Sequence, residues 1–351
     1  MQNETKLRVA VNGYGVIGKR VADAVALQPD MQIAGVADVA ADWRIAVAAQ
    51  RGFAIFAASD GAESAMRAAG LPVSGGLSDM MTIADVVVDA TPKAVATANI
   101  AAYRSAGLKF IVQGGEKHAA TGHSFVAEAS YLTALNRQST RVVSCNTTSI
   151  VRTLTALKRA GLLLKARGVL LRRATDPWES HQGGIMNTLV PEPTIPSHQG
   201  PDAQSVDPGL DLVTMAVKVP QTLGHLHYWN VTLTRPADRD EVLRAFRASS
   251  RILLLRGEAG LGALNAVKEW MQDIGRPRGD LYEVAMWADM LTVQGDELYY
   301  AYMVGNQAIV VPDTVDAIRA ICGLQTDPAT SIRMTDAALG IGGLQPRGGP
   351  V

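Results

Sequence analysis

Cysteine is scarce in this chain: 351 residues contain two, Cys145 and Cys322. So few thiols, so far apart, exclude a disulfide framework and suit a reducing compartment. Neither sign of charge is in excess, because 33 basic residues face 33 acidic ones. A nucleic-acid partner would call for a basic surplus or stripe, so none is expected. No apolar run reaches the roughly 18 residues that a membrane span needs. The first residues lead into a strand without an apolar signal segment, so a cytoplasmic location is expected. There is no internal repeat and no low-complexity tract. What remains is a chain that is 48% apolar and long enough for two domains, each with its own core.

A short apolar strand beginning at Leu7 runs into Gly13, Gly15 and Gly18. A helical pattern carrying Val16, Ile17, Val21, Ala22 and Val25 follows. Each glycine has a reason. Gly13 permits the tight turn, Gly15 lets the backbone approach a pyrophosphate, and Gly18 lets helix and strand pack closely. The helix start then offers N–H groups to phosphate. A second strand ends at Asp38, 20 residues beyond Gly18, where a carboxylate would bind the adenosine ribose hydroxyls and repel a 2′-phosphate. The alternative is an ordinary strand–turn–helix with an incidental acid; the agreement of all four parts favours the dinucleotide.

Further strands alternate with helices. One is expected over 83–90, before Thr91. Another precedes Gly114 and Gly115, and a third delivers Ser144 and Cys145. This alternation predicts a parallel sheet covered on both faces, with ligands beyond the strands' C-terminal ends. Asp38, Thr91, Gly114, Gly115 and Cys145 all fall at such ends. Cys145 also opens a helical pattern, and Asn146, Thr147 and Thr148 read as residues capping its start. A thiol beside a helix N-terminus is expected to favour the nucleophilic thiolate. The competing reading is a buried structural cysteine.

After the Cys145 helix the pattern changes. Arg172 and Arg173 end a strand and, as neighbours, point to opposite faces. They suit phosphate recognition, or form a solvated pair. A Gly- and Pro-rich loop contains His198 and Gln199. Strands follow over 212–220, 225–234, 283–293 and 297–304, with a helix over 240–249 and another over 312–322. Successive strands predict an α+β domain on a mostly antiparallel sheet. His225 and His227 share a face of their strand; either could be a general base, and either could be structural. A metal site lacks an evident third ligand, so none is expected.

These blocks in this order resemble the type II, archaeal-type glyceraldehyde-3-phosphate dehydrogenases. The likeness spans about residues 7–341 and rests on segments 11–24, 113–117, 141–148, 172–177, 196–198, 214–217, 225–227 and 310–320. It implies an α/β Rossmann nucleotide-binding domain over 1–144 plus 306–344, and a catalytic domain over 145–305. Residues 345–351 would form a flexible tail. It further implies NAD(P)- and phosphate-dependent oxidation of glyceraldehyde 3-phosphate to 1,3-bisphosphoglycerate. In that reading Cys145 is the nucleophile and His225 the catalytic base. Gly13, Gly15, Val16, Ile17, Gly18, Asp38, Thr91, Gly114, Gly115, Arg173, Asn306 and Gln307 would meet the cofactor. Ser144, Asn146, Thr147, Arg172, His198 and Gln199 would meet substrate or phosphate. A homotetramer is implied, with small-molecule substrates as partners.

Three departures from the family pattern stand out. Asp38 replaces a common lysine, so NAD should be preferred over NADP, with NADP still usable. His198-Gln199 replaces a pair of histidines, which should weaken phosphate binding. Asn306 and Gln307 lie where a cofactor-contacting glutamine is usual. Other cysteine-dependent semialdehyde dehydrogenases of related fold, or a nucleotide-binding paralogue without activity, are the alternatives.

Overall fold

The computed structural model describes residues 6–343 except Gly114 and Gly184. It divides into two compact units. One runs to Ser144 and resumes over Val311–Leu339; the other comprises Cys145–Val310 and resumes at Gly340. The expected crossing at 306 therefore moves to 311. The physical reason lies in the intervening residues. The side-chain amides of Asn306 and Gln307 donate to Asp176, and the carbonyl of Ile309 accepts from Arg152, all within the second unit. The expected tail, and the domain end at 344, fall outside the described residues.

In the first unit the strands are β1 Leu7–Asn12, β2 Met31–Asp38, β3 Ile55–Ala57 and β4 Val73–Gly76, then β5 Val86–Asp89, β6 Lys109–Val112, β7 Ser124–Phe125 and β8 Ser139–Val142. They form one sheet in the order β4-β3-β2-β1-β5-β6-β8-β7, with every pairing parallel. Val9, Ala10, Val11, Val86, Val87 and Val88 are fully buried, as strands covered on both faces require. The strand order reverses between β1 and β5, the crevice where open α/β sheets take ligands. The strand expected over 83–90 is shorter at its start, because Ile83 caps the helix Leu77–Thr82. The helix Val311–Cys322 returns to this unit and is buried over eleven consecutive positions, Val311 to Ile321. Its last residue, Cys322, is a free thiol pushed up to about 12 by burial.

The second unit holds β9 Leu163–Arg173, β10 Val190–Pro191, β11 Leu212–Val219 and β12 His225–Leu233, then β13 Ile252–Leu255, β14 Val284–Trp287, β15 Thr292–Gln294 and β16 Glu297–Val304. Their order is β10-β11-β9-β12-β16-β14-β13, with β15 beside β16. The sheet is mixed: β9–β11 and β13–β14 are parallel, and the remaining pairs are antiparallel. The strand expected over 283–293 is broken by a turn at Ala288–Met290. The helix Cys145–Arg159 is buried from Asn146 through Leu157 and packs against β9, β14 and β16. Val169, Met215, Tyr228 and Tyr299 remain substantially exposed on the sheet.

Candidate active site

The glycine turn of the first unit follows from steric limits. Gly13 sits at φ +90°, and a Cβ there would lie 2.9 Å from the carbonyl carbon of Ala90. A Cβ on Gly18 would lie 1.7 Å from the carbonyl oxygen of Gly13, so only glycine permits this packing. At Gly15 a Cβ would meet nothing within 4 Å, leaving the backbone open to an incoming group. Gly15 caps the helix Val16–Ala26 with no side-chain bond, and no acid occupies the first turn. Those N–H groups suit an anion. Val16 and Ile17 are half-buried beside them.

Asp38 ends β2 and faces this turn. Its two carboxylate oxygens accept the backbone N–H groups of Tyr14, at 2.6 Å, and Ala40, at 2.8 Å. Thr91 follows β5, where its N–H and hydroxyl both donate to the buried Asp89, at 2.9 and 2.5 Å. Gly115 lies beyond β6, with Lys93 as its neighbour. Gly114 is outside the described residues. Glycine turn, uncapped helix start and fixed acid fit a dinucleotide.

In the second unit, the Cys145 sulfur lies 3.4 Å from Nε2 of His225. The other ring nitrogen, Nδ1, is 3.0 Å from the backbone nitrogen of Arg173. A backbone amide can only donate, so Nδ1 must accept. The neutral ring consequently carries its proton on Nε2, directed at the sulfur. In this geometry His225 presents an Nε2–H donor to the sulfur. Burial, aided by His227, Arg173 and Arg172, holds its pKa well below the usual histidine range, so the ring stays neutral.

Burial works against the expected thiolate. Burial pushes the Cys145 thiol up and outweighs Arg173, the Asn146 backbone N–H and Arg172, which act to lower it. Nor do Asn146, Thr147 and Thr148 cap the helix. They lie inside it, buried, and the Asn146 side-chain oxygen accepts from His227. Thr147 donates to Asp202 at 2.7 Å. Ser144, immediately before the helix, is the last residue of the first unit.

His227 serves a different purpose. Its Nε2 donates to the side-chain oxygen of Asn146 at 2.9 Å, and its Nδ1 accepts from the Tyr302 hydroxyl at 3.0 Å. That hydroxyl in turn accepts from the Trp229 indole at 3.0 Å. The chain of bonds anchors the residue next to Cys145. Among the described residues, no three His, Cys, Asp or Glu side chains are grouped to hold a metal.

Carboxylates that sequence reasoning missed hold both arginines. Arg172 Nη1 donates to Glu192 Oε2 at 2.9 Å, and Glu192 Oε1 lies 2.7 Å from Nδ1 of His198. Burial raises the Glu192 carboxyl, but the bonds from His198 and the charge of Arg172 prevail and hold it below the usual range. Arg173 Nη2 meets Asp176 at 3.2 Å, and Asn306 and Gln307 donate to the same oxygen at 3.0 and 3.3 Å. For Asp176 the signal was available, an acid three residues after Arg173. For Glu192, 20 residues from Arg172, there was none. Gln199 is fully buried, and neither end of its amide has a partner among the described residues.

The C-terminal domain model of glyceraldehyde 3-phosphate dehydrogenase matches residues 144–272, and the N-terminal model of dihydrodipicolinate reductase matches 7–146. Curated glyceraldehyde-3-phosphate dehydrogenases align over nearly the whole chain. That of Methanothermobacter thermautotrophicus is 43% identical over 336 residues, covering 95% of this chain and 99% of its own. That of Pyrobaculum calidifontis is 46% identical, covering 95% and 97%. The chain belongs to the glyceraldehyde-3-phosphate dehydrogenase family. In this chain the parallel sheet lies in the first unit and the Cys145–His225 pair in the second.

Proposed function

We propose that this protein is a phosphorylating glyceraldehyde-3-phosphate dehydrogenase working through a thioester on Cys145. The observation that carries this reading is the sulfur 3.4 Å from a histidine whose far nitrogen is pinned by a backbone N–H. The Cys145 thiol releases its proton to solvent, and the resulting thiolate attacks the aldehyde carbon while the carbonyl electron pair moves to oxygen. The Nε2–H of His225 supports the developing alkoxide. Collapse of the alkoxide expels hydride and leaves the thioester; bound NAD supplies the hydride acceptor. Phosphate then attacks the thioester carbon, loses its proton and releases Cys145 as thiolate.

The first unit binds the cofactor through Gly13, Gly15, Gly18, Val16, Ile17, Asp38, Thr91 and Gly115, with the dinucleotide phosphates at the uncapped helix start. Asp38, already holding two N–H groups, favours ribose hydroxyls over a 2′-phosphate, so NAD is preferred. Ser144, Asn146, Thr147, Arg172, His198 and Gln199 serve substrate and phosphate. Exposed Val169, Met215, Tyr228 and Tyr299 support self-association as a homotetramer, and two free thiols support a cytoplasmic location.

The test is NADH formation from glyceraldehyde 3-phosphate, with and without inorganic phosphate, for the wild type and Cys145→Ser. Steady turnover should require both phosphate and the thiol. Phosphate-independent turnover, or activity confined to other semialdehydes, would overturn the reading.

A further inference from the structure

The surroundings of Arg172 are unevenly satisfied. Glu192 is saturated: one oxygen takes Arg172 Nη1 at 2.9 Å, and the other takes the His198 backbone N–H at 3.1 Å and sits 2.7 Å from its Nδ1. Both partners of the ion pair are well covered, with side-chain exposures of 25% for Arg172 and 17% for Glu192. Arg172 itself, and Gln199, which follows His198 in the chain, keep unsatisfied polar atoms. Arg172 Nε and the Gln199 amide nitrogen have no partner among the described residues, and the Gln199 amide oxygen has none either. Gln199 is fully buried. A buried amide without a partner is costly, so this group favours a ligand that both accepts and donates hydrogen bonds. A phosphate group with one protonated oxygen has that chemistry.

Charge opposes the same ligand. The one carboxylate in the group already neutralises Arg172. An incoming phosphate must either displace Glu192 or share the guanidinium with it, bringing two anions together in a partly buried site. We propose that Glu192 is a specificity-determining residue of the phosphate subsite formed by Arg172, His198 and Gln199, holding the anion position in the free protein and setting how weakly phosphate binds. It does not touch the reacting carbon. Its action runs through Arg172, which lies close enough to act electrostatically on Cys145 and His225. This inference rests on the reading that the site takes phosphate.

Glu192→Gln removes the charge and keeps the length and an accepting oxygen; Glu192→Asp keeps the charge. The readout is the rate of Cys145 alkylation by iodoacetamide at constant ionic strength. Inorganic phosphate and glycerol 3-phosphate, which has no aldehyde, are titrated separately; phosphate and triose-phosphate KM are measured alongside. In Glu192→Gln the half-saturating concentration of one probe should fall about five- to tenfold, as expected for relief of one like-charge contact near a protein surface. The probe that responds identifies whether the phosphate is inorganic or the substrate's own. Glu192→Asp should show no such fall. If the wild type responds to phosphate while Glu192→Gln binds both probes as weakly or more weakly, Glu192 is merely structural and the proposal is overturned. If the wild type responds to neither probe and makes no phosphate-dependent NADH, the functional reading falls and the subsite with it.

Discussion

In the first unit, the glycine turn and Asp38 are held by main-chain geometry, whereas Thr91 is held by the Asp89 carboxylate. Gly13 turns at positive φ, Gly18 admits a carbonyl where a Cβ would stand, and Asp38 is fixed by two backbone N–H groups. In the second unit, side chains hold side chains. Asn146 depends on His227, His227 on Tyr302, Arg172 on Glu192, and Arg173 on Asp176. His225 is the exception, because a backbone amide sets its tautomer. A site made of backbone tolerates varied side chains but no added Cβ. A site made of side-chain pairs tolerates small backbone shifts but not the loss of a partner.

The largest effect that would test this contrast is at Gly18. Gly18→Ala places a carbon 1.7 Å from a carbonyl oxygen and should cost several kcal/mol or prevent folding. Gly15→Ala should melt as the wild type does while binding NAD at least about tenfold more weakly, since its Cβ enters open space. Equal melting temperatures for the wild type and Gly18→Ala would break the backbone half of the comparison.

The two histidines should separate next. His225→Asn removes the donor facing the sulfur and should lower kcat by roughly a hundredfold or more with little loss of stability. His227→Phe leaves the buried Asn146 oxygen unpaired and should cost about 1–3 kcal/mol, with a smaller effect on kcat. Thermal melts and kcat, measured together, check this; the reverse pattern would exchange their roles. Third, Asp38→Lys should shift the ratio of kcat/KM for NAD and NADP toward NADP by about tenfold or more. An unchanged ratio would mean that Asp38 does not read the ribose.

The smallest effect concerns pH. A raised thiol pKa means that the thiolate fraction of Cys145 is small near pH 7 and keeps growing above the ordinary thiol range. Alkylation should therefore accelerate through pH 9 without levelling off. His225 stays neutral well below its usual range, so no inflection should appear between pH 6 and 8. A plateau in the rate below pH 8 would show that side-chain charges and the backbone N–H, not burial, govern the sulfur.

This contrast also decides what could be read from residue order. Glycine spacing and Asp38 were legible because turn, helix start and acid are local in sequence. Five of the eight strands of the parallel sheet, β1, β2, β5, β6 and β8, were legible as buried runs; the short β3, β4 and β7 were not. Cys145 and His225 stood out through strand ends and family likeness, but the state of the thiol did not, since burial is a property of packing. Tyr302 faces His227 through strand register, and Glu192 reaches Arg172 across a loop; nothing local marks either pairing. The crossing at 311 depended likewise on what Asn306 and Gln307 bond.

Cys322, at the end of its helix, keeps its proton until about pH 12. The chain thus carries one sulfur that a histidine nitrogen faces at 3.4 Å and one that stays inert under ordinary labelling conditions. Moles of reagent consumed per mole of chain would count the competent molecules in any preparation, so a sample can be calibrated against itself.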